Sequence, residues 1–268
     1  MPAGPLRDLL TLLLGLVTGV LSALFGIGGA IVSNPGLRAL GAAPLVAVGT
    51  TLPSILPGAI SGTLRYRREG LIDRRLITPA AAAGLLAVVG GSLLSHAIPG
   101  GGHVLLLLIA VLLAFTAWRT AVTSPTPPAD KPADNAEPPP LTPRRRWVAA
   151  GIGLVAGLLS GLLGIGGGVI MVPAFTELLG LSLKSAIATS LVCVGIFGVP
   201  ATITHAFLGD VDWRMAVLLT VGVVPGARIG ASLTIRTAER RLRLAVGVFL
   251  ALVAVVYFVT ETRALLAR

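Results

Sequence analysis

The sequence predicts an all-α, polytopic integral membrane protein. It has about eight hydrophobic segments in two inverted repeats, and segments 1 and 5 are broken at glycine motifs. Three observations carry this. Hydrophobic residues make up 54% of the 268 positions and charged residues 12%, against about 25% charged in a soluble domain, and mean hydropathy is +0.92. Apolar runs long enough to span recur along the chain, since about 20 helical residues cross the hydrocarbon core. Finally, GLVTGVLSALFGIGGAIVSNP, Gly15 to Pro35, returns as GLVAGLLSGLLGIGGGVIMVP, Gly153 to Pro173, with 12 of 21 positions identical and no gaps.

The first membrane repeat covers 1–122 and opens with segment 1, at 6–32. Its head, Leu9 to Leu14 followed by small residues, looks like a signal peptide. A copy of it lies at 147–173, where nothing could be cleaved, so both copies are expected to be resident. Each glycine inside a helix costs about 1 kcal/mol relative to alanine. The GIGG run therefore predicts a break near Gly26, with the segment stopping at the proline. Segments 2, 3 and 4 follow at 43–64, 77–97 and 103–122.

Residues 123–146 are rich in proline, alanine and charge and have no apolar face. Such composition reads as a solvated, disordered cytoplasmic linker. The second membrane repeat, 147–268, holds segment 5 at 147–172, broken near Gly164, and segments 6, 7 and 8 at 183–207, 213–234 and 241–260. The match extends past the glycine stretch. Ala47 to Leu52 pairs with Ala186 to Leu191, Gly70 to Asp73 with Gly209 to Asp212, and Gly84 with Gly222.

Two topologies fit. If all eight segments cross, the repeats are parallel and basic residues divide fourteen to six. If the broken segments dip in and return, the repeats are inverted. The division is then fifteen to five, with all three arginine clusters on one face. Cytoplasmic loops carry the excess of lysine and arginine. The inverted arrangement is favoured because it also gives the glycine breaks a purpose; both termini are then extracytoplasmic.

The net charge of +10 sits in short gaps between apolar runs, without a stacking motif or basic helix. It is read as a membrane-orientation signal and not as a nucleic-acid surface. Cys193 is the only cysteine, so no internal disulfide forms, and no metal-ligand spacing or other cofactor motif is present. No nucleophile–base constellation and no phosphate loop appears, so an enzyme is not expected.

Inverted repeats with broken segments place a small-solute site near the membrane middle, where half-helix ends meet. Bare backbone N–H groups and the positive end of a helix dipole favour anions there. The candidates are Gly26, Gly28 and Gly29 in one half and Gly164, Gly166, Gly167 and Gly168 in the other. The competing reading is close helix packing by small residues.

Thr50, Thr51, Thr189 and Ser190 hold equivalent places in segments 2 and 6 and offer hydroxyl donors. The alternative is a hydroxyl bonded back to its own helix. Arg228 is the one basic residue inside a segment. It either contacts an anion or snorkels to the surface. His205 ends segment 6 and is a candidate for gating or proton transfer, or an interfacial histidine. All eleven acidic residues fall at segment ends or in loops. That predicts no buried carboxylate for proton coupling and fits a negatively charged solute.

The duplicated GxxSGxxGIGGGxxxVP, at Gly157 to Pro173 and more loosely at Gly19 to Pro35, resembles the sulfite exporter TauE/SafE family. The GxID-like turn after segment 2 and PGARIGA in segment 7 are similar too. The resemblance spans nearly the whole chain outside the linker. The first repeat departs from the pattern at Ala30 and Asn34. The resemblance implies a permease of the bacterial inner membrane that moves sulfite, a sulfonate or a related sulfur oxyanion by alternating access. A small-anion channel and a non-transporting membrane assembly factor are the alternatives. The expected partners are a small anionic solute and the lipid bilayer, with no nucleic acid; a homo-oligomer is compatible with the sequence.

Overall fold

The computed structural model describes residues 4–97, 110–111, 114–115, 142–164 and 166–266. All regular structure among them is helical. In order the helices are α1 (Pro5–Phe25), α2 (Ala30–Ala39), α3 (Pro44–Arg67), α4 (Arg74–Ala97), α5 (Pro143–Leu163), α6 (Gly168–Leu179), α7 (Leu183–Phe207), α8 (Trp213–Arg236) and α9 (Glu239–Leu266). Six of them, α1, α3, α4, α5, α7 and α8, are long and apolar enough to cross a membrane.

Segments 2, 3, 6, 7 and 8 appear close to their expected bounds as α3, α4, α7, α8 and α9. Segment 4 lies outside the described residues, save for helical positions at 110–111 and 114–115, and so does the linker as far as residue 141. Its last residues are helical, not linker. Thr142 caps α5 by accepting a hydrogen bond from the Arg145 N–H at 3.4 Å, and Pro143 starts the helix. This is the side-chain cap and first-turn proline that open helices generally, and it carries α5 a turn beyond the apolar run.

The breaks fall at Gly26 and Gly164, as expected, but the broken segments end elsewhere than expected. Each parts a spanning helix from a short one that doubles back, and the chain does not stop at Pro35 or Pro173. Those prolines lie inside α2 and α6, which run on to Ala39 and Leu179. Gly29 lies against Thr18 and Ser22, and Gly36 against Leu14, so α2 returns along α1. Gly167 lies against Ala156, and the Leu179 carbonyl accepts from Arg145 at 2.6 Å, so α6 returns along α5.

Helix directions follow from which residues meet. Gly15 meets Leu219 and Gly19 meets Val223, so α1 and α8 run parallel. Gly153, Gly157 and Gly161 meet Ala80, Gly84 and Val88, so α4 and α5 run parallel. Gly62 meets Leu191, Gly195 meets Ala59 and Gly198 meets Ile55, so α3 and α7 are antiparallel. Gly58 meets Val223 and Gly62 meets Ala227, so α3 runs with α8. Thus α1, α3 and α8 point one way and α4, α5 and α7 the other. The three long helices of one half run opposite to their counterparts in the other, which is the inverted arrangement.

Burial is inside-out relative to a soluble helix. On α1, Leu6, Leu9, Leu13 and Val17 are exposed, while Thr11, Gly15, Thr18, Gly19 and Ser22 are buried. Lipid tails are as apolar as leucine, so helices associate through small residues that let backbones approach. A Cβ on Gly157 would lie 2.7 Å from the Gly84 Cα, whereas one on Gly151 would meet nothing within 4 Å. Gly157→Leu is therefore expected to destabilise the fold by about 1–3 kcal/mol in detergent-solubilised thermal unfolding. Gly151→Leu is expected to leave the melting temperature unchanged.

One end of the bundle gathers the arginines. The C-termini of α3 and α8 and the N-termini of α4, α5, α7 and α9 lie there. Lys184 donates to the Ile235 carbonyl at 2.8 Å, Ser185 to Leu71 at 2.7 Å, and the Leu183 N–H to the Glu239 carboxylate at 2.9 Å. The opposite end holds the start of α1, tied to α8 by Arg7–Asp212 at 3.2 Å and Arg214–Asp8 at 2.6 Å.

Candidate functional site

Both breaks have one backbone design. α1 ends at Gly26, φ 71°, whose N–H donates to the Ser22 carbonyl; α5 ends at Gly164, φ 64°, bonded to Ser160 in the same way. Gly28 and Gly29 follow at φ 82° and 71°, and Gly166 and Gly167 at 81° and 70°. Each non-glycine residue in this left-handed region costs about 1–2 kcal/mol. Three per break explains why glycine stands at these places. Ile165 lies outside the described residues. Gly29 and Gly167 cap α2 and α6 without any side-chain hydrogen bond.

The two breaks touch. A Cβ on Gly166 would lie 3.3 Å from the Gly28 Cα. One on Gly168 would overlap the Gly26 carbonyl oxygen and lie 2.8 Å from the Ile27 Cα. The uncapped starts of α2 and α6 are thus brought together where the inverted halves cross. A narrow cleft of about 20 Å³, room for a single water, runs between α6 and α9. Phe25, Ile27, Val172, Thr176, Glu177 and Arg243 help to line it, so it connects the flank of the first break with the arginine-rich end.

The four expected hydroxyls divide into two pairs. Ser190 Oγ lies 3.0 Å from the Gly26 carbonyl and 3.0 Å from that of Ile187, so it faces the first break. Thr51 is one turn beyond Val48, whose side chain fills the space beside Gly164. Its Oγ1 lies 2.9 Å from the Ala47 carbonyl, so the back-bond to its own helix is also present. Thr50 and Thr189 do other work. Thr50 Oγ1 accepts the Asp212 N–H at 2.9 Å, and Thr189 Oγ1 accepts the Asp73 N–H at 3.1 Å. Each pins the turn that starts the last spanning helix of one half onto the other half.

Arg228 stands away from the breaks. Gly226 and Gly230 pack against α1 and Ala227 faces α3, which turns Arg228 outward to an exposed position. From there it can snorkel along the last two turns toward the arginine-rich end.

His205, near the end of α7, is fully buried. Its Nδ1 lies 2.9 Å from Asp210 Oδ2, and Asp210 is itself only 8% exposed. The expectation that no carboxylate is buried is therefore overturned. The α8-leading turn folds back through the Asp210 N–H to the His205 carbonyl, 3.0 Å, and carries the side chain inward. Asp210 packs on Gly49, where a Cβ would lie 2.8 Å from the aspartate Cβ. The equivalent residues in the first half are Tyr66 and Leu71, with Tyr66 Oη donating to the Ala23 carbonyl at 2.5 Å.

Sequence reasoning missed a polar cluster at the first break: Ser33 Oγ and Asn34 Oδ1 each lie 3.0 Å from Thr51 Oγ1. The signal was present in the departure of Ser33 and Asn34 from the repeat, which has Met171 and Val172 there.

The model of the family described as Sulfite exporter TauE/SafE matches residues 11–257. A probable membrane transporter protein, YunE, of Bacillus subtilis strain 168 is 28% identical over 261 residues, covering 90% of this chain and 93% of its own. A probable membrane transporter protein of Xylella fastidiosa strain 9a5c is 30% identical over 224 residues, 83% of each chain. YjnA of Bacillus subtilis strain 168, another probable membrane transporter protein, is 28% identical over 247 residues, 87% of this chain and 92% of its own. No solved structure matches.

Proposed function

The chain belongs to the sulfite exporter TauE/SafE family, and on that premise we propose that it is a permease for a small anion, in the class of sulfite, sulfonates and related sulfur oxyanions. The observation that carries this is the meeting of two uncapped helix N-termini at the crossing of the inverted halves. Each such end presents N–H groups and about half a positive charge. A negative solute entering between them gains hydrogen bonds without displacing an existing side-chain cap. Thr51 and Ser190 stand beside the breaks with further hydroxyls. The backbone contact between Gly166 and Gly28 favours a carrier that opens to one side at a time over a standing channel.

The arginine-rich end is assigned to the cytoplasm by the excess of positive charge retained inside. The N-terminus and the end of α9 then lie on the extracytoplasmic side of the bacterial inner membrane. The His205–Asp210 pair sits in the turn leading into α8, toward that extracytoplasmic end, and serves as its gate. An interior-negative potential favours anion export by about 2.3 kcal/mol per charge per 100 mV.

Flux of labelled sulfite, sulfate, thiosulfate and sulfonates in oriented proteoliposomes tests the reading. Saturable movement of at least one anion is expected. A rate linear in concentration points to the channel, and no flux of any anion removes the transport reading.

A further inference from the structure

The halves differ where their breaks should match. Ser33, Asn34 and Thr51 of the first half correspond to Met171, Val172 and Ser190 of the second. Asn34 is fully buried. Its Oδ1 lies 3.0 Å from Thr51 Oγ1, whose single proton is shared with the Ala47 carbonyl 2.9 Å away. Asn34 Nδ2 then has no hydrogen-bond partner. An amide nitrogen carries two donors, and burying them unused destabilises the fold. Val172 holds the equivalent place at 4% exposure, so the architecture accommodates an apolar residue there. The donors of Asn34 are therefore not required by packing.

Thr18 repeats the pattern. It is 2% exposed, its Oγ1 has no partner, and its counterpart is Ala156. Its γ-methyl lies 2.7 Å from where a Cβ on Gly29, the uncapped start of α2, would stand. The second half has an idle hydroxyl of its own at Ser160, but no amide. Idle donors thus accompany the N-terminal turns of α2 at Thr18 and Asn34, two positions that are alanine and valine around α6.

We infer that the first half is the polar seat of the solute, that the Asn34 side-chain amide donates to one oxygen of the anion, and that the second half closes over it with the backbone of its break and the Ser190 hydroxyl. This rests on the anion reading above. It makes Asn34 the residue that distinguishes an oxyanion with several acceptor oxygens from a spherical anion.

Thermal unfolding of the detergent-purified full chain, titrated with sulfite, sulfate, thiosulfate, methanesulfonate, chloride and uncharged dimethyl sulfone, tests this. Wild type is expected to be stabilised by at least one oxyanion and less by chloride. Asn34→Val, which copies Val172, is expected to melt at the same or a higher temperature without solute, yet to bind the oxyanion about tenfold more weakly, about 1.4 kcal/mol. Asn34→Asp keeps the acceptor for Thr51 but replaces the donors with negative charge, and is expected to abolish the response. Thr18→Ala should weaken binding by a smaller factor.

A purely structural Asn34 gives the reverse pattern, a lower melting temperature with oxyanion affinity intact, and that result overturns the inference. If dimethyl sulfone stabilises wild type as well as the anions do and Asn34→Val loses that response, the seat stands and the anion reading falls. If wild type responds to no solute, both fall.

Discussion

Gly168→Leu is expected to abolish anion flux in proteoliposomes while the protein still inserts, and Gly168→Ala to reduce it roughly tenfold, about 1.4 kcal/mol in the barrier. Gly168 has an ordinary helical backbone, so a side chain there strains no dihedral. What it meets is the other break, since its Cβ would overlap the Gly26 carbonyl oxygen. The substitution therefore wedges the two breaks apart without disturbing either one's own turn. Gly167→Leu adds a left-handed backbone penalty of about 1–2 kcal/mol and a contact 2.6 Å from the Ala156 carbonyl, and is expected to lower stability as well as flux. Full transport by Gly168→Leu would mean that the contact is mere packing and that the solute passes elsewhere.

The second large effect concerns His205 and Asp210. Asp210→Leu alone removes the carboxylate 2.9 Å from the buried His205 Nδ1, and losing a hydrogen-bond partner in a buried site costs about 1–3 kcal/mol. The double variant His205→Tyr with Asp210→Leu copies Tyr66 and Leu71, the pair that closes the equivalent turn in the first half. By the repeat, the acceptor expected for a tyrosine at 205 is the carbonyl of Gly161, the counterpart of Ala23. Thermal unfolding is expected to show the single variant destabilised and the double variant restored, with transport still impaired in the double. Restored transport would reduce the pair to a structural tie and end its role as a gate.

The repeat was legible because it is a pattern in one dimension. The positions Gly26, Gly28, Gly29 and Gly164, Gly166, Gly167 were identifiable as breaks because clustered glycines have no helical rationale, and all six do adopt positive φ. The dual use of the motif was not legible. Gly15, Gly19, Gly153 and Gly157 look like the break glycines in sequence, yet they lie in unbroken helix and let α1 and α5 touch α8 and α4. Nor could sequence separate Thr50 from Thr51. They are adjacent, and only the rotation of α3 sends one to a backbone N–H of the opposite half and the other to Asn34. Arg228 was left open between two readings, and Asp210 was misjudged, for a related reason. Helix ends and helix interiors do not map onto exposed and buried until the neighbours are placed.

By itself, then, the sequence determined the membrane class, the duplication, the helical segments and the two places where helix must fail, because hydropathy, periodicity and glycine's freedom are local properties. Tertiary structure decided that each broken segment doubles back, that the halves run in opposite directions, which hydroxyls face the breaks, and that Asn34 holds idle donors. Those depend on which helix faces meet, and residues far apart in the chain settle that together.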